Sequence, residues 1–360
     1  MQALHIITPS SYTTSAACIR LMQLTLKQLG GIHQVLVIGD QEDSLDMRAR
    51  GIPVLGSVDG PVNASMTLDR RVRDLVDKVT MKYPTPRIFA WGWHGATVAS
   101  GLGNDYEPVA IVDDIDRSCS ILGGNITIIP TSQSGSRILS ALGVPIGSIA
   151  EPLIGVIPSS ILVDRASVRE LLHLEQAKNV VALVGKRCSW QEVIRMVVRL
   201  CTSRQRVDFI MPEQYIYHAQ LISAAKKQGV TDMLHVTPSQ LRHVDVINGV
   251  DGVWAPLVAP HDESCEVLDV IETVWAGVPI VVSASHPVAG VPHVGKEIVS
   301  TKNEIEICGW LLSLAEDPIA AKEKADDLTA HVKSIASPSS FIEGLQQRMS
   351  SSFRLCRYVS

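Results

Sequence analysis

The chain has 360 residues, of which 46% are hydrophobic and 19% charged, and a formal net charge of -5 at pH 7. This length indicates two domains of ordinary size, and the hydrophobic content excludes an intrinsically disordered protein, which is poor in apolar residues and rich in charge. The acidic balance argues against nucleic acid as a partner, because binding to a phosphate backbone requires a basic surface.

The first forty residues predict a strand, a helix and a second strand. Leu4–Thr8 is a short apolar run of the kind that forms a buried strand. Apolar residues then recur at helical spacing over 19–29 and stop at Gly30, and Val35–Ile38 is the next apolar run. A strand–helix–strand unit of this size places two parallel strands side by side beneath a covering helix.

The same alternation continues to about residue 157, so we predict a doubly wound α/β domain over 1–157. Residues 158–178 are charged and helix-forming, which indicates a linker. The further strands predicted in this domain are Arg87–Trp91, Val109–Val112 and Ile126–Ile129, and the further helices cover 96–102 and 137–142.

A second α/β pattern starts at the buried run Val180–Gly185. Strands are predicted over 207–211, 233–236, 253–257 and 279–282, at 298–299, and helices over 194–201, 215–227, 267–277 and from 303 onward. We therefore predict a second Rossmann-like domain over 179–338, followed by a helix within 339–360 that returns to the first domain. Two such domains facing each other would form a cleft at the carboxyl ends of both sheets, where open α/β sheets bind ligands.

Cysteine spacing and hydropathy predict a cytoplasmic protein. The seven cysteines are scattered and never form a C-x-x-C pair, so we expect buried, reduced thiols and no metal cluster. The N-terminal residues lack the basic start and long apolar region of a signal peptide. No apolar stretch approaches the ~20 residues that an integral membrane helix needs.

The segment Val253–Pro318 resembles the donor-site segment of retaining GT-B glycosyltransferases of family 4. Its centre reads Ile271-Glu272-Thr273-Val274-Trp275-Ala276-Gly277-Val278-Pro279, where that family typically has Leu-Glu-Ala-Met-Ala-x-Gly-x-Pro. Gly155–Pro158 is similar to the family's inter-domain segment, and Leu311–Pro318 to its later helix. The resemblance implies a GT-B fold, in which the first domain holds the acceptor and the second holds the nucleotide-sugar donor.

Two acidic positions in this segment carry the donor chemistry of the family. The second acid, whose carboxylate accepts hydrogen bonds from the ribose hydroxyls, corresponds to Glu272. The alternative for Glu272 is an ordinary solvated helix residue. The first acid corresponds to Ser264, with Glu263 one place away. The carboxylate that would hold the transferred sugar is therefore missing or displaced.

Cations after the first strand of the second domain bind the leaving diphosphate in this family. Lys186 matches the family's Arg position and Arg187 is adjacent, whereas the family's Lys position falls at the uncharged Trp190 or Gln191. Fixed cations and helix N-termini are well suited to the charge that develops on a leaving phosphate. The alternative for Lys186 is a surface cation at a strand end.

A loop over 286–293 follows the strand at 279–282 and corresponds to the Gly-rich donor loop of the family. It contains Gly290, and His293 occupies the position at which Glu is usual. His286 and His293 could donate hydrogen bonds to an anion, or they could be plain surface residues.

The acceptor side is implied by two positions in the first domain. Trp91–Gly95 resembles the His-x-Trp-His region of starch- and glycogen-synthase relatives and contributes His94, and Asp113 stands where the family has a sugar-contacting His. We assign catalytic roles to His94 and Asp113. The hydroxyl-rich Thr13–Ser15 either caps a helix or binds phosphate oxygens. Asp113–Asp116 lacks a paired histidine or a second acidic motif, so we expect no metal.

The resemblance implies transfer of a sugar from a UDP- or GDP-sugar to an unknown acceptor, with retention and without a cofactor. The alternative is a catalytically degenerate GT-B protein, a pseudoenzyme that acts as a nucleotide-sugar-binding or partner subunit. Ser264, the missing Lys and Asp113 at the family's His position all favour this alternative. A third class, other two-lobed α/β proteins such as sugar-phosphate enzymes, fits the pattern of elements but not the motif.

Overall fold

The computed structural model describes most of the chain. The described residues are 2–8, 16–58, 66–82, 87–102, 106–113, 115, 125–157, 161–174, 179–185, 188–202, 206–212, 215, 217–238, 241–256, 267–284, 286, 288, 291, 299–301 and 303–356. They divide into two compact units. The first contains Met1–Ile157, Glu263–Leu268 and Ala336–Ser360, and the second contains Pro158–Asp262 and Asp269–Ile335.

The first unit is built on a sheet of six parallel strands. The strands are β1 (Gln2–Ile7), β2 (Ile32–Ile38), β3 (Val54–Val58), β4 (Arg87–Trp91), β5 (Val109–Val112) and β6 (Thr127–Pro130). Their order across the sheet is β3-β2-β1-β4-β5-β6, and every neighbouring pair is parallel. The helices between them are α1 (Ala16–Gln28), α2 (Gln41–Ala49), α3 (Met66–Lys82), α4 (Gly92–Ser100) and α5 (Gln133–Ala141).

Helices cover both faces of this sheet, which explains why its strands are apolar at almost every position. Successive strand residues point to opposite faces. In β1, Leu4 and Ile6 therefore belong to the core beneath α3, α4 and α5, while Ala3 and Ile7 belong to the core beneath α1.

The second unit repeats this topology. Its strands are β7 (Val180–Leu183), β8 (Asp208–Met211), β9 (Leu234–Val236), β10 (Gly252–Ala255), β11 (Ile280–Ser283) and β12 (Val299–Thr301), and its helices are α6 (Arg165–Leu171), α7 (Trp190–Thr202), α8 (His218–Gln228), α9 (His243–Gly249), α10 (Val267–Trp275), α11 (Glu304–Glu316) and α12 (Pro318–Ile335). The parallel order β12-β11-β10-β7-β8-β9, read from β9, is the same as that of the first sheet. The prediction of two doubly wound α/β domains is confirmed.

The last helix, α13 (Pro338–Cys356), packs on the first unit. Its buried Phe341, Leu345 and Met349 join the core beneath α1. Gly155 lies directly against this helix, because a Cβ at Gly155 would stand 2.7 Å from Phe341. The prediction that the terminal helix returns to the first domain is confirmed.

The segment between the two sheets is tied to the second unit. The carboxylate of Asp245 accepts hydrogen bonds from the backbone N–H groups of Leu162 and Val163, at 2.8 and 3.3 Å. Asp251 accepts one from Arg169 in α6 and one from the backbone N–H of Val180, both at 2.8 Å. The segment that looked like a linker is therefore part of the packing of this unit.

The described cysteines differ in part from the expected buried thiols. Cys18, Cys188 and Cys308 are buried and outside any disulfide, but Cys201, near the end of α7, is exposed. Among the helices that the structure describes, none is both long and apolar enough to cross a membrane.

Candidate functional site

The strand order defines one ligand-binding position in each sheet. In the first sheet, the helix after β1 and the helix after β4 cover opposite faces. The chain diverges between them at the carboxyl ends of these two strands, and open α/β sheets bind ligands in the crevice that this divergence creates. In the second sheet, the equivalent position lies at the carboxyl ends of β7 and β10.

His94 lies at this position in the first sheet. The helix that carries it begins at Gly92, immediately after β4, and not at residue 96 as predicted, because Gly92 adopts a φ of 74° that turns the strand directly into the helix. Gly95 allows close packing on β1, since a Cβ there would stand 3.1 Å from the carbonyl oxygen of Ile6. His94 is therefore buried in the first turn of α4, beside the end of β1.

Asp113 lies at the carboxyl end of the neighbouring strand, β5, and is also buried. Its Oδ1 accepts a hydrogen bond from the Thr131 hydroxyl at 3.2 Å and another from the backbone N–H of Leu268 at 3.3 Å. Leu268 stands in the first turn of α10, and Val267 and Leu268 belong to the first unit although the rest of the helix belongs to the second. A negative charge at the start of a helix interacts favourably with the helix dipole. The two predicted catalytic residues thus follow adjacent strands, and Asp113 has a structural role as well.

Glu272 is buried on α10 in the second unit, with only 5% of its surface exposed. This excludes the alternative of a solvated surface glutamate. Hydrogen bonding to Asp245 raises the pKa of Arg242, burial lowers it, and the negative charges of Asp245 and Glu272 raise it further. The carboxylate of Glu272 therefore lies within the electrostatic field of a guanidinium.

Arg242 is itself held by a fork-like ion pair. Its Nε and one terminal nitrogen donate to the two carboxylate oxygens of Asp245, at 2.8 and 3.0 Å. Burial would raise the pKa of Asp245, but these bonds and those from the Leu162 and Val163 N–H groups lower it to about 2. Asp245 stays ionised at neutral pH, so its two hydrogen bonds hold the guanidinium of Arg242 in a fixed position.

The remaining predicted donor residues cannot be placed. Lys186, Arg187, Ser264, Gly290 and His293 lie outside the residues that the structure describes.

Sequence reasoning missed one buried polar cluster in the second unit. Glu192, in the first turn of α7, is only 6% exposed, and its Oε1 accepts a 2.7 Å hydrogen bond from the hydroxyl of Ser283, the last residue of β11. Because β10 lies between β7 and β11, this bond spans the carboxyl end of β10. The sequence did indicate that Glu192 is buried. Glu192, Met196 and Leu200 follow one another at intervals of four residues, which places all three on the buried face of the helix.

His286 extends this cluster. Its backbone N–H donates to the carbonyl oxygen of Ser283 at 2.7 Å, and its Nδ1 accepts from the backbone N–H of Val288 at 3.2 Å. In the neutral ring the hydrogen must therefore be on Nε2. Burial lowers the pKa of His286 to about 4, so at neutral pH the side chain is an uncharged N–H donor.

No protein-family model matches the chain, and a search of curated proteins finds no match. Solved structures match over nearly the whole chain. Anabaena HepE in complex with UDP and glucose is 15% identical with a TM-score of 0.74, covering 98% of this chain and 100% of that one. Sucrose-phosphate synthase from Thermosynechococcus elongatus is 12% identical with a TM-score of 0.69, covering 99% and 100%. The N-terminal domain of Candida albicans trehalose-6-phosphate phosphatase is 11% identical with a TM-score of 0.65, covering 98% and 97%. The fold is that of the GT-B glycosyltransferases.

Proposed function

We propose that the protein is a cytoplasmic glycosyltransferase that takes a sugar from a nucleotide-sugar donor. The observation that carries the proposal is the pair of parallel sheets with the same strand order, in a chain that matches HepE over 98% of its length. HepE has been solved with UDP and glucose, and also with UDP-glucose. The family 4 resemblance around Glu272 points to the same chemistry.

The second unit would hold the donor. Glu272 is a buried carboxylate, and its two oxygens could accept hydrogen bonds from a pair of ribose hydroxyls. Lys186 and Arg187 would lie next to the diphosphate and stabilise the charge that develops as it leaves. Gly290 and His293 belong to the loop that the resemblance places against the donor.

The first unit would hold the acceptor. His94 and Asp113 follow adjacent strands at the carboxyl edge of its sheet, which is the edge at which α/β domains bind ligands. The resemblance implies that the sugar is transferred with retention, on the face that the diphosphate leaves, without a covalent intermediate or a cofactor. Exclusion of water would protect the donor from hydrolysis.

A second candidate function is that of a catalytically degenerate binding or partner subunit. It is favoured by Ser264, where the family has a carboxylate, and by the uncharged Trp190 or Gln191 near the family's Lys position. Asp113, which stands at the family's His position, is a third departure. Removing one stabilising contact from a transition-state site costs roughly 3–4 kcal/mol. Three such losses would together abolish turnover while leaving the donor bound.

The test uses a panel of UDP-, GDP- and ADP-sugars, with the melting temperature and the release of nucleotide as readouts. Stabilisation with nucleotide release is expected, and Glu272→Ala should abolish both. Glu323→Ala, at an exposed glutamate of α12, is the matched control and should change neither.

Two other results would revise the proposal. Stabilisation without release, whatever acceptor is added, identifies the binding subunit. A chain that none of the nucleotide-sugars stabilises is neither the enzyme nor the binder.

A further inference from the structure

Ser283 organises two buried polar side chains at the carboxyl edge of the second sheet. Its hydroxyl donates to Glu192 at 2.7 Å, and its carbonyl oxygen accepts from the N–H of His286 at 2.7 Å. All three residues are more than nine-tenths buried. Ser283 ends β11, and Glu192 starts the helix after β7, so the cluster adjoins the ligand-binding position between β7 and β10.

The chemistry of this cluster fits hydroxyl groups better than phosphate. A carboxylate only accepts hydrogen bonds and repels another anion, so Glu192 is unsuited to a diphosphate. His286 presents an uncharged N–H donor. A sugar hydroxyl both donates and accepts. One fixed acceptor and one fixed donor are therefore complementary to a polyol.

We propose that Glu192 and His286, both positioned by Ser283, bind the hydroxyl groups of the sugar moiety of the donor. The inference rests on the proposed function and adds the determinants of sugar binding, which the position of Ser264 leaves without a carboxylate. Glu192 would supply the missing acceptor from a different element, the first turn of α7.

The test compares each sugar nucleotide with its own nucleoside diphosphate. Binding of UDP-glucose and UDP, GDP-mannose and GDP, and ADP-glucose and ADP is measured by calorimetry on the wild-type chain and on Glu192→Gln. This variant keeps the side-chain volume, and its amide oxygen can still accept from Ser283, while the charge is lost. Affinity for the preferred sugar nucleotide should fall about ten-fold or more, whereas affinity for its diphosphate should change less than about two-fold.

Two further variants complete the design. Ser283→Ala removes only the hydroxyl that fixes Glu192, so it should weaken binding of the sugar nucleotide about three-fold and leave the diphosphate unaffected. If circular dichroism shows that Glu192→Gln does not fold, the Ser283→Ala variant tests the proposal in its place. Glu323→Gln, at an exposed site, is the control and should match the wild type.

The possible failures can be told apart. If the wild type binds the sugar nucleotide and the variants bind it equally well, this inference is overturned and the proposed function stands. If the variants lose the diphosphate as much as the sugar nucleotide, Glu192 does not act on the sugar. If the wild type binds neither kind of ligand, the proposed function falls and this inference falls with it.

Discussion

A chain of hydrogen bonds between buried rings fixes the protonation state of two histidines in the first unit. The indole N–H of Trp91 donates to Nδ1 of His5 at 3.1 Å, so the hydrogen of His5 is on Nε2. This Nε2 lies 3.0 Å from Nδ1 of His33, whose own Nε2 lies 3.3 Å from the carbonyl oxygen of Gly30. Both rings must be neutral for every bond in this order to form.

The buried histidines predict a loss of stability in acid. Burial, and to a lesser extent the repulsion that a protonated His33 would exert on a protonated His5, lowers the pKa of His5 to about 3. The unfolded chain, with an ordinary histidine pKa near 6.5, therefore binds the proton more readily, and stability falls as the pH drops from about 6.5 towards 3. His5→Phe removes this linkage and keeps a ring that can stack on Phe89.

The measurement is urea unfolding at pH 7.5 and 4.5. Between these two values the free energy of unfolding of the wild type should fall by roughly 2.5 kcal/mol more than that of His5→Phe. His173→Asn, at an exposed histidine, should behave like the wild type. If the free energy of unfolding fell by the same amount between pH 7.5 and 4.5 in all three chains, His5 would not be neutral in the native state.

Some of the site residues could be identified from a sequence motif, and others could be identified only from the fold. Glu272 and Asp113 were identified from the family resemblance, and the structure shows both to be buried. The structural role of Asp113 could not be predicted, because it depends on Leu268, which is 155 residues away in the chain. Glu192 was missed because its partner Ser283 lies on another strand, and only the fold brings the two together.

At the scale of elements, the buried strands were the most predictable. The predicted bounds of β4 and β5 are those of the structure, since both strands are apolar at every position except Arg87, the first residue of β4. β3 was missed because it lies at the edge of its sheet, where its first four residues alternate between half-buried and exposed and only Val58 is buried. The helix α3 was not predicted because many of its residues are charged, although Val72, Val76 and Val79 recur at helical spacing.

The close packing of α13 on Gly155 predicts that a single added methyl group destabilises the first unit. Gly155→Ala would place a Cβ 2.7 Å from Phe341, in a core that cannot yield without moving the helix. The free energy of unfolding should fall by about 1–3 kcal/mol.

Gly147→Ala is the matched control for this variant, because a Cβ at Gly147 meets nothing within 4 Å. Chemical denaturation should show a change within about 0.5 kcal/mol for this control. A Gly155→Ala chain as stable as the control would mean that α13 does not pack as described.

At the scale of the whole molecule, the first unit depends on the last helix. Phe341, Ile342, Leu345 and Met349 are all buried in its core. Each such side chain contributes about 1.5–3 kcal/mol when buried, and their sum is comparable to the stability of an ordinary domain. A chain that ends at residue 335 should therefore lose the fold of the first unit and keep that of the second.

Limited proteolysis checks this prediction. Residues 1–157 of the truncated chain should be cleaved rapidly, and a fragment covering most of 158–335 should persist. Phe341→Ala in the full chain should have a milder effect of about 3–5 kcal/mol, and the exposed Glu343→Ala almost none. Equal resistance of both halves would contradict the prediction.

The division of the chain among its units also sets the order in which they can form during synthesis. A ribosome releases residues from the N-terminus onward, and domains generally fold as they emerge. The strands of the first unit leave the ribosome before the second unit does, yet α13, which completes the core on one face of their sheet, is made after the second unit. The first unit is thus completed only after the second has been translated, and until then the apolar surface that α13 buries is exposed and available to a chaperone.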